Sequence, residues 1–283
     1  MYKGKKVYAI NYADEKFRHA QTINTKTAYL FGRVDEVIEY NPESIDAEYR
    51  ELHKDAFRLY DVRSGKFGLW RPNIIMQTLE KMEYGEYCVY CDSGALYFRN
   101  VNRLIDCMER NAQEIMVFEL YLPEKEWSKR DIFIVLDADE DRYTDSGQRL
   151  STHFIFKKTE KTIKFFDNYY QLTLSDPYIF TDEDNRCGMN NYPEFQDTRH
   201  NQSVLSILSK KNGLLSFRDP SQWGGMFFLN PSKKYLNLDA IHNRSNYPTI
   251  FLLHRMGTVT LSGIVRLLKE IRYQYKDRRN YIG

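Results

Sequence analysis

An acidic residue follows directly on an apolar run at Asp92, in the segment YCVYCDSGALYF. A single carboxylate at the end of a buried strand can bind a divalent cation, orient a ribose hydroxyl or cap the following helix. A metal-bound diphosphate needs only one or two oxygen ligands from the protein, because phosphate oxygens and water complete the octahedron. Gly94 would let the backbone approach such a ligand closely. The spacing alone leaves a metal ligand and a helix cap as alternatives.

Two strands and a helix open the chain and predict where this chemistry lies. Residues 5–12 are predicted to form a strand with a polar tip, residues 15–31 a helix, and VDEVIEY a second strand. Strand, helix and strand with short connections are typical of a parallel sheet, whose ligands bind at the carboxyl ends of the strands. Asn11 and Tyr12 lie at the first such end.

The strand YCVYC brings Asp92 to the same edge of the predicted sheet. Pro72 is well placed as the first residue of a helix that Gly85 ends, and the strand follows this helix. The segment NVNRLIDCMERN predicts a further helix, so that Asp92 would lie at a strand-to-helix connection. We therefore expect Asp92 and Asn11 to line the same crevice.

The second half of the chain is predicted to continue the alternation. DIFIVLDADED and QRLSTHFIFKK predict strands, whereas TEKTIKFFDNYYQL and RHNQSVLSILSKKNG predict helices. Residues 175–199 form a turn-rich stretch between these helices, and loops of about this length are usually functional or mobile.

The last predicted element is a basic amphipathic helix, SGIVRLLKEIRYQYKDRR, which follows FLLHRMG. Its apolar face consists of Ile264, Leu267, Leu268 and Ile271. This helix either docks on the core with a solvated basic face or attaches to an anionic membrane surface.

Composition limits the classes of function. The 283 residues carry a formal net charge of +2, which gives no indication of a nucleic-acid partner. No segment approaches the ~18 apolar residues of a membrane span and the N-terminus lacks a signal peptide, so we expect a cytoplasmic protein. The four cysteines are too scattered for a disulfide framework. Cys88 and Cys91 should face opposite sides of their strand as buried thiols, rather than serve in a zinc or redox site.

The order of several short motifs resembles that of bacterial capsule and lipopolysaccharide glycosyltransferases. These motifs are GLWRP, YCDSGALYF, QRLSTHFIFKK, NYPEFQDTRHNQSVLSIL and a late His-Arg pair, and they span most of residues 5–257. The resemblance implies an α/β fold of the GT-A type, with a Rossmann-like, mixed, mainly parallel sheet flanked by helices and a helical C-terminal extension. It also implies metal-assisted transfer of a sugar from a nucleoside diphosphate sugar, such as a UDP-sugar, to a glycan or lipid-linked acceptor in cell-surface polysaccharide synthesis.

Carried onto this sequence, the resemblance assigns Asp92 to the Mn²⁺ or Mg²⁺ ion of the sugar nucleotide. His254 would be a second metal ligand, with His242 as the alternative, and Arg255 would contact the leaving diphosphate. The other donor contacts would come from Asn11, Tyr12, Arg71, Ser93 and Gly94. Arg199, His200 and Gln202 match the R-H-x-Q motif, which would face the sugar and the acceptor as the catalytic group.

A second metal site competes with Asp92. Asp137 and Asp139 form a D-x-D after an apolar run, and this spacing fits the general glycosyltransferase pattern better than Asp92 does. Their acidic neighbours indicate a solvated loop, and the resemblance places this region in the acceptor half. We therefore favour Asp92 as the metal ligand.

The sequence departs from the family pattern at two positions of the R-H-x-Q motif. Thr198 replaces a histidine and Asn201 replaces an aspartate. An amide cannot act as a base, although Asn201 can cap its helix. Two hypotheses follow: an active transferase, and a non-catalytic sugar- or nucleotide-binding module that keeps the fold. With no evident base in the sequence, retention of anomeric configuration is slightly favoured and the stereochemistry stays open.

The predicted domain organisation follows the motifs. A catalytic domain would span residues 1–235, with a nucleotide-sugar half of about 1–110 and an acceptor half of about 111–235. Residues 236–283 would complete the site and end in the basic helix, which would allow peripheral contact with the inner face of the membrane.

Overall fold

A mixed seven-stranded sheet forms the centre of the fold in the computed structural model, which describes residues 1–55, 68–225 and 238–269. The described strands are β1 Val7–Tyr12, β2 Glu36–Tyr40, β3 Tyr87–Cys91, β4 Ala95–Tyr97, β5 Ile115–Pro123, β6 Gly147–Arg149, β7 His153–Lys157, β8 Ser216–Arg218 and β9 Phe251–Leu253. The large sheet has the order β2-β1-β3-β7-β5-β6, with β8 beside β5, and β4 pairs with β9 in a separate two-stranded sheet.

Most strands of the large sheet run in one direction. Strand β1 pairs in parallel with β2 and β3, and β5 pairs in parallel with β8. Strand β7 lies antiparallel between β3 and β5, so the two parallel groups share their direction. Strand β6 is antiparallel to β5. The predicted mixed, mainly parallel sheet is therefore confirmed.

Helices flank this sheet. The described helices are α1 Arg18–Thr27, α2 Ala47–Leu52, α3 Trp70–Lys81, α4 Asn102–Arg110, α5 Glu124–Trp127, α6 Arg130–Val135, α7 Asp141–Thr144, α8 Glu160–Ser175, α9 Asn201–Lys211 and α10 Leu238–Arg244. A π-helical turn, Ala28–Gly32, extends α1, and residues 261–269 are also helical.

Two hydrophobic cores cover the two faces of the large sheet. Every residue of β1 and β3 is buried, as expected for strands covered on both sides. Helices α3, α8 and α9 contribute to the first core, and α4 contributes to the second. Cys88 belongs to the first core and Cys91 to the second, which confirms that they face opposite sides.

The structure differs from the predictions in the second half of the sheet. The segment after Arg130 was predicted as a strand but forms α6, in which Ile132 and Phe133 are buried and Ile134 is exposed. A short apolar run does not distinguish a strand from one turn of a buried helix. No element was predicted at β5, which is the strand that connects β7 to β6 and β8.

The C-terminal region is described only in part. Leu267 is buried against Leu96 and Leu252, whereas Leu268 is half exposed. Ile271 and the basic residues after it lie outside the described residues, as does the predicted domain boundary after residue 235. Within the described ranges, no helix has the length and apolar character of a membrane span.

Candidate functional site

A cavity of about 510 Å³, here called the large cavity, opens where β1 and β3 end. Tyr12 and Asp92 line it from these strand ends, and Leu120 and Leu122 line it from β5. A small cavity of about 290 Å³ adjoins it and reaches α9. Both cavities are lined by Arg71, Asp92, Arg199 and Gln202.

Asp92 lies in a turn between two strands. Its carbonyl accepts a hydrogen bond from Ala95 N at 3.0 Å, and the turn leads directly into β4. Helix α4 begins only at Asn102, with Val101 at its N-cap position, so the expected strand-to-helix connection and the helix-cap alternative are wrong. The carboxylate is about one-third exposed, with 34% of the side chain accessible. Asp92 is thus free of a capping role and faces the cavities.

Arg71 neutralises Asp92 from inside the protein. Its guanidinium is buried, and Nη2 donates to Asp92 Oδ1 at 2.9 Å. Burial acts to lower the pKa of Arg71, but Tyr90 and Asp92 outweigh it and raise this pKa above its ordinary value. The Tyr90 hydroxyl, whose pKa is raised by burial, also donates to Asp92 Oδ1. Within the described residues, Asp92 Oδ2 accepts no hydrogen bond and remains open to a ligand.

Arg71 also explains the asparagine at position 201. Arg71 Nη1 donates a hydrogen bond to Asn201 Oδ1, across 130 residues of sequence. An amide oxygen accepts this bond as a carboxylate oxygen would. Asn201 is the first residue of α9, and its carbonyl accepts a hydrogen bond from Tyr169 at 3.1 Å. Asn201 lines the small cavity, and the oxygen of its side chain is occupied by the hydrogen bond from Arg71.

Aromatic rings form one wall of the large cavity. Tyr12 and Trp70 stack with ring centroids 3.9 Å apart and an interplanar angle of 11°. Ser93 Oγ donates to the carbonyl of Tyr12 at 2.7 Å and joins the ends of β1 and β3. The structure does not bring Asn11 into this crevice. Its side chain is fully buried and hydrogen-bonded to Gln21 and Asn24 of α1.

Two exposed guanidinium groups face the large cavity. Arg199 lies over the Trp127 ring, 4.3 Å from its centroid, and Arg255 follows β9. No carboxylate in the described parts of the chain forms an ion pair with either arginine. Gln202, in contrast, is engaged by Gln148, to which it donates at 2.8 Å. The large cavity is lined by three arginines and two aspartates, an excess of positive charge that suits an anionic ligand.

His200 lines the small cavity and not the large one. It is buried, with its Nε2 2.6 Å from Asp182 Oδ1, and it immediately precedes α9. Its φ of 51° is unusual for a residue other than glycine. Strained backbone of this kind often occurs at functional sites.

His254 lies beside the wall of the large cavity, between the lining residues Leu253 and Arg255. The carbonyl of Gly94 accepts hydrogen bonds from the backbone of His254 at 2.9 Å and of Arg255 at 2.8 Å. A Cβ at Gly94 would lie 3.4 Å from Arg255 Cα, an ordinary van der Waals contact, so this approach does not by itself require glycine. The segment that follows β9, with His254 and Arg255, is thus held against the turn that carries Asp92.

Two donor atoms lie in or beside the large cavity and are the candidates for a metal ligand. Among the described residues, the buried His254 Nε2 has no hydrogen-bond partner, and burial lowers the pKa of His254 to about 4, so the imidazole is in its neutral, metal-binding form. Asp92 Oδ2 is the second open donor. In the described ranges, no group of three or more His, Cys, Asp or Glu residues could hold a metal. Phosphate and water would therefore have to complete the coordination.

The alternative metal ligands lie elsewhere. Asp139 is bound by Arg130 at 2.6 Å and by Tyr192 at 2.7 Å, and Asp137 by Lys211 at 3.1 Å. Neither aspartate lines the large or the small cavity, and neither does His242 of α10. The D-x-D spacing is therefore not brought together with Asp92.

The structure adds two acids that the sequence patterns did not single out. Asp14 lines the large cavity, and Asp197 lines the small one. Asp197 lies inside the quoted segment NYPEFQDTRHNQSVLSIL, three residues before His200, so proximity to a motif was the one available signal.

Comparison with known proteins gives a likeness of fold. No family model and no curated protein matches the chain. The apo structure of the bifunctional glycosyltransferase WbbM is similar over 96% of this chain and 52% of that one, with 9% identity and a TM-score of 0.51. The apo structure of mouse xyloside xylosyltransferase 1 is similar over 88% of this chain and 97% of that one, with 8% identity and a TM-score of 0.48. A glycosyltransferase involved in the glycosylation of the major capsid of PBCV-1 is similar over 95% of this chain and 99% of that one, with 9% identity and a TM-score of 0.41.

The sheet order, the flanking helices and the likeness to WbbM define an α/β fold of the GT-A-like class. At this level of identity the likeness extends to the fold alone. The chemistry depends on the residues that line the two cavities.

Proposed function

We propose that this protein is a glycosyltransferase that moves a sugar from a nucleoside diphosphate sugar to a glycan or lipid-linked acceptor. The observation that carries the proposal is the composition of the large cavity. It combines a stacked aromatic pair, an aspartate with an open oxygen and two exposed arginines at the carboxyl edge of a GT-A-like sheet. Ligands of open α/β sheets bind at this edge.

In this proposal the donor extends along the large cavity. The nucleoside lies against the Tyr12 and Trp70 wall, where an aromatic surface favours a base or ribose. Arg255 contacts the diphosphate, and its charge stabilises the leaving group as the glycosidic bond breaks. Arg199 and Gln202 line both cavities, and the sugar would lie where the two cavities join.

We further propose that Mn²⁺ or Mg²⁺ accompanies the donor. Asp92 Oδ2 and His254 Nε2 would supply the protein ligands, and the bound ion would add positive charge beside the diphosphate. Arg71 keeps Asp92 fixed, and its positive charge partly offsets that of the carboxylate. We therefore expect weak metal binding in the absence of nucleotide.

The alternative, a non-catalytic binding module, rests on Asn201. This residue accepts a hydrogen bond from Arg71, so its amide has a positioning function that needs no carboxylate. We therefore favour the active transferase. A role in cell-surface polysaccharide synthesis, and contact with an anionic membrane through the C-terminal helix, remain part of the proposal; the described turns of this helix expose Leu261, Val265 and Leu268.

Calorimetry with UDP and other nucleoside diphosphates, in Mn²⁺ and in EDTA, tests the donor site. We expect Asp92→Asn to remove the stimulation of UDP binding by Mn²⁺, a loss of about tenfold or more in affinity. Asp139→Asn is the matched control and should leave UDP affinity unchanged. Donor hydrolysis by a panel of sugar nucleotides then tests turnover. Nucleotide binding without turnover of any donor would support the binding module instead.

A further inference from the structure

The sequence slightly favoured retention because it showed no evident base, but the fold places acids in the two joined cavities, and an inverting transfer needs an acid as its base. In the described residues, the carboxylates that line them are Asp14, Asp92 and Asp197. Asp92 Oδ1 already accepts hydrogen bonds from Arg71 and Tyr90, and Asp92 Oδ2 is the oxygen assigned above to the metal ion. Asp14 accepts a hydrogen bond from Phe17 N at 3.1 Å at the start of a short helix, and it lines only the large cavity.

Asp197 lines the small cavity, which Asp14 does not, and it is not bound by an arginine of the described chain, as Asp92 is. It is exposed, and no cation in the described part of the chain pairs with it. Its Oδ1 accepts a hydrogen bond from Thr198 N at 2.9 Å, which orients the carboxylate, and within the described ranges Oδ2 accepts no hydrogen bond. It lines the small cavity together with Arg199 and Gln202, next to the place where the donor sugar would lie.

Asp197 also lies between the small cavity and a neighbouring cavity. A third cavity of about 560 Å³, here called the loop cavity, is lined by Lys129 and residues between Asp182 and Thr198. Asp197 and Thr198 line both the loop cavity and the small cavity. An acceptor that enters through the loop cavity would therefore pass the Asp197 carboxylate before it meets the donor sugar.

We propose that Asp197 is the general base of an inverting sugar transfer, an inference that rests on the proposed function. The acceptor hydroxyl gives its proton to the Asp197 carboxylate while its oxygen forms the new bond to C1 of the sugar. The bond from C1 to the phosphate oxygen breaks, and the nucleoside diphosphate leaves with the bonding electrons beside Arg255. The acceptor approaches from the face opposite the diphosphate, so the anomeric configuration inverts.

His200 is the competing base in the small cavity. Its Nε2 is already hydrogen-bonded to Asp182, and its ring is buried at the start of α9. This arrangement suits a positioning residue that fixes the loop before α9. Asp197→Asn and His200→Asn therefore separate the two candidates.

The experiment uses UDP-sugars with water as the acceptor, so no acceptor has to be identified. We expect Asp197→Asn to lower kcat by about 10²–10⁴-fold, the usual contribution of a general base, and to leave the donor KM within twofold. Formate should restore part of the activity of Asp197→Gly, because it can replace the missing carboxylate. Proton NMR of the newly released sugar should show inverted configuration.

Asp141→Asn is the control, because Asp141 is exposed at the start of α7 and lines none of the three cavities. It should keep the wild-type kcat. The inference is overturned if Asp197→Asn retains more than a third of kcat, if only His200→Asn loses activity, or if the sugar is released with retained configuration. A wild-type protein that binds UDP but turns over no donor overturns the proposed function as well, which distinguishes the two failures.

Discussion

Arg71 is the residue on which the geometry of the site depends most. It joins Asp92, after β3, to Asn201, at the start of α9, and its ring contacts with Trp70 and Tyr90 fix its plane. Removing one partner of a buried charge pair typically costs about 3–5 kcal/mol, and less where one partner is partly exposed, as Asp92 is. Arg71 therefore links the turn after β3 to the start of α9.

Asn201→Asp tests whether position 201 needs a carboxylate for chemistry. A carboxylate oxygen can accept the same hydrogen bond from Arg71, so we expect a folded protein with kcat within threefold of wild type. Asn201→Leu keeps the volume but removes the acceptor, and should weaken UDP binding by leaving Arg71 without one partner. Steady-state donor hydrolysis and calorimetry measure both. A rise of tenfold or more in kcat for Asn201→Asp would instead identify position 201 as a lost catalytic base.

Among the elements, α9 depends on a close approach that only glycine permits. Gly68 has a φ of 65°, and a Cβ there would lie 2.0 Å from Asn201 Nδ2. The backbone just before α3 thus packs against the first residue of α9. This packing places Arg71, on the first turn of α3, within reach of both its partners.

Gly68→Ala should destabilise the protein and displace Asn201. Alanine at a positive φ costs about 1 kcal/mol by itself, and the steric conflict with Asn201 should add about 1–2 kcal/mol. Gly213→Ala is a matched control, because Gly213 has the same φ of 65° but no atom within 4 Å of its Cβ position. Urea denaturation measures the difference between the variants. Equal destabilisation by both would show that the contact with Asn201 carries no energy.

At the scale of the whole molecule, the two cores leave one accessible thiol. Cys88, Cys91 and Cys107 are buried, and burial raises the pKa of each thiol, whereas Cys187 lies in the loop before α9 and is partly exposed. Thiolates, not thiols, react with disulfide reagents. The three buried thiols should therefore be inert in the folded protein.

A titration with an aromatic disulfide at pH 8 tests this arrangement of the cores. We expect about one thiol to react in the native protein and all four to react in guanidinium chloride. Burial also raises the pKa of Cys187, so its reaction should be slow and should accelerate as the pH rises. Cys187→Ser should abolish the native reaction. Rapid modification of two or more thiols in that variant would contradict the buried placement of β3 and α4.

Local sequence determined much of this structure. The first two strands, the helix between them, β3 and α9 were predicted because their apolar periodicity and end signals depend on a few neighbouring residues. Tyr12 and Asp92 were predicted at one edge, because parallel strands bring their carboxyl ends together.

Tertiary structure alone decided the rest. The segment after Arg130 forms α6 and not a strand, because packing against its neighbours decides between two states that a short apolar run allows equally. The bond from Arg71 to Asn201 spans 130 residues, and no local spacing encodes it. Asp197 became a candidate base only when the fold placed its carboxylate beside the cavity of Asp92, since exposure and proximity are properties of the folded chain.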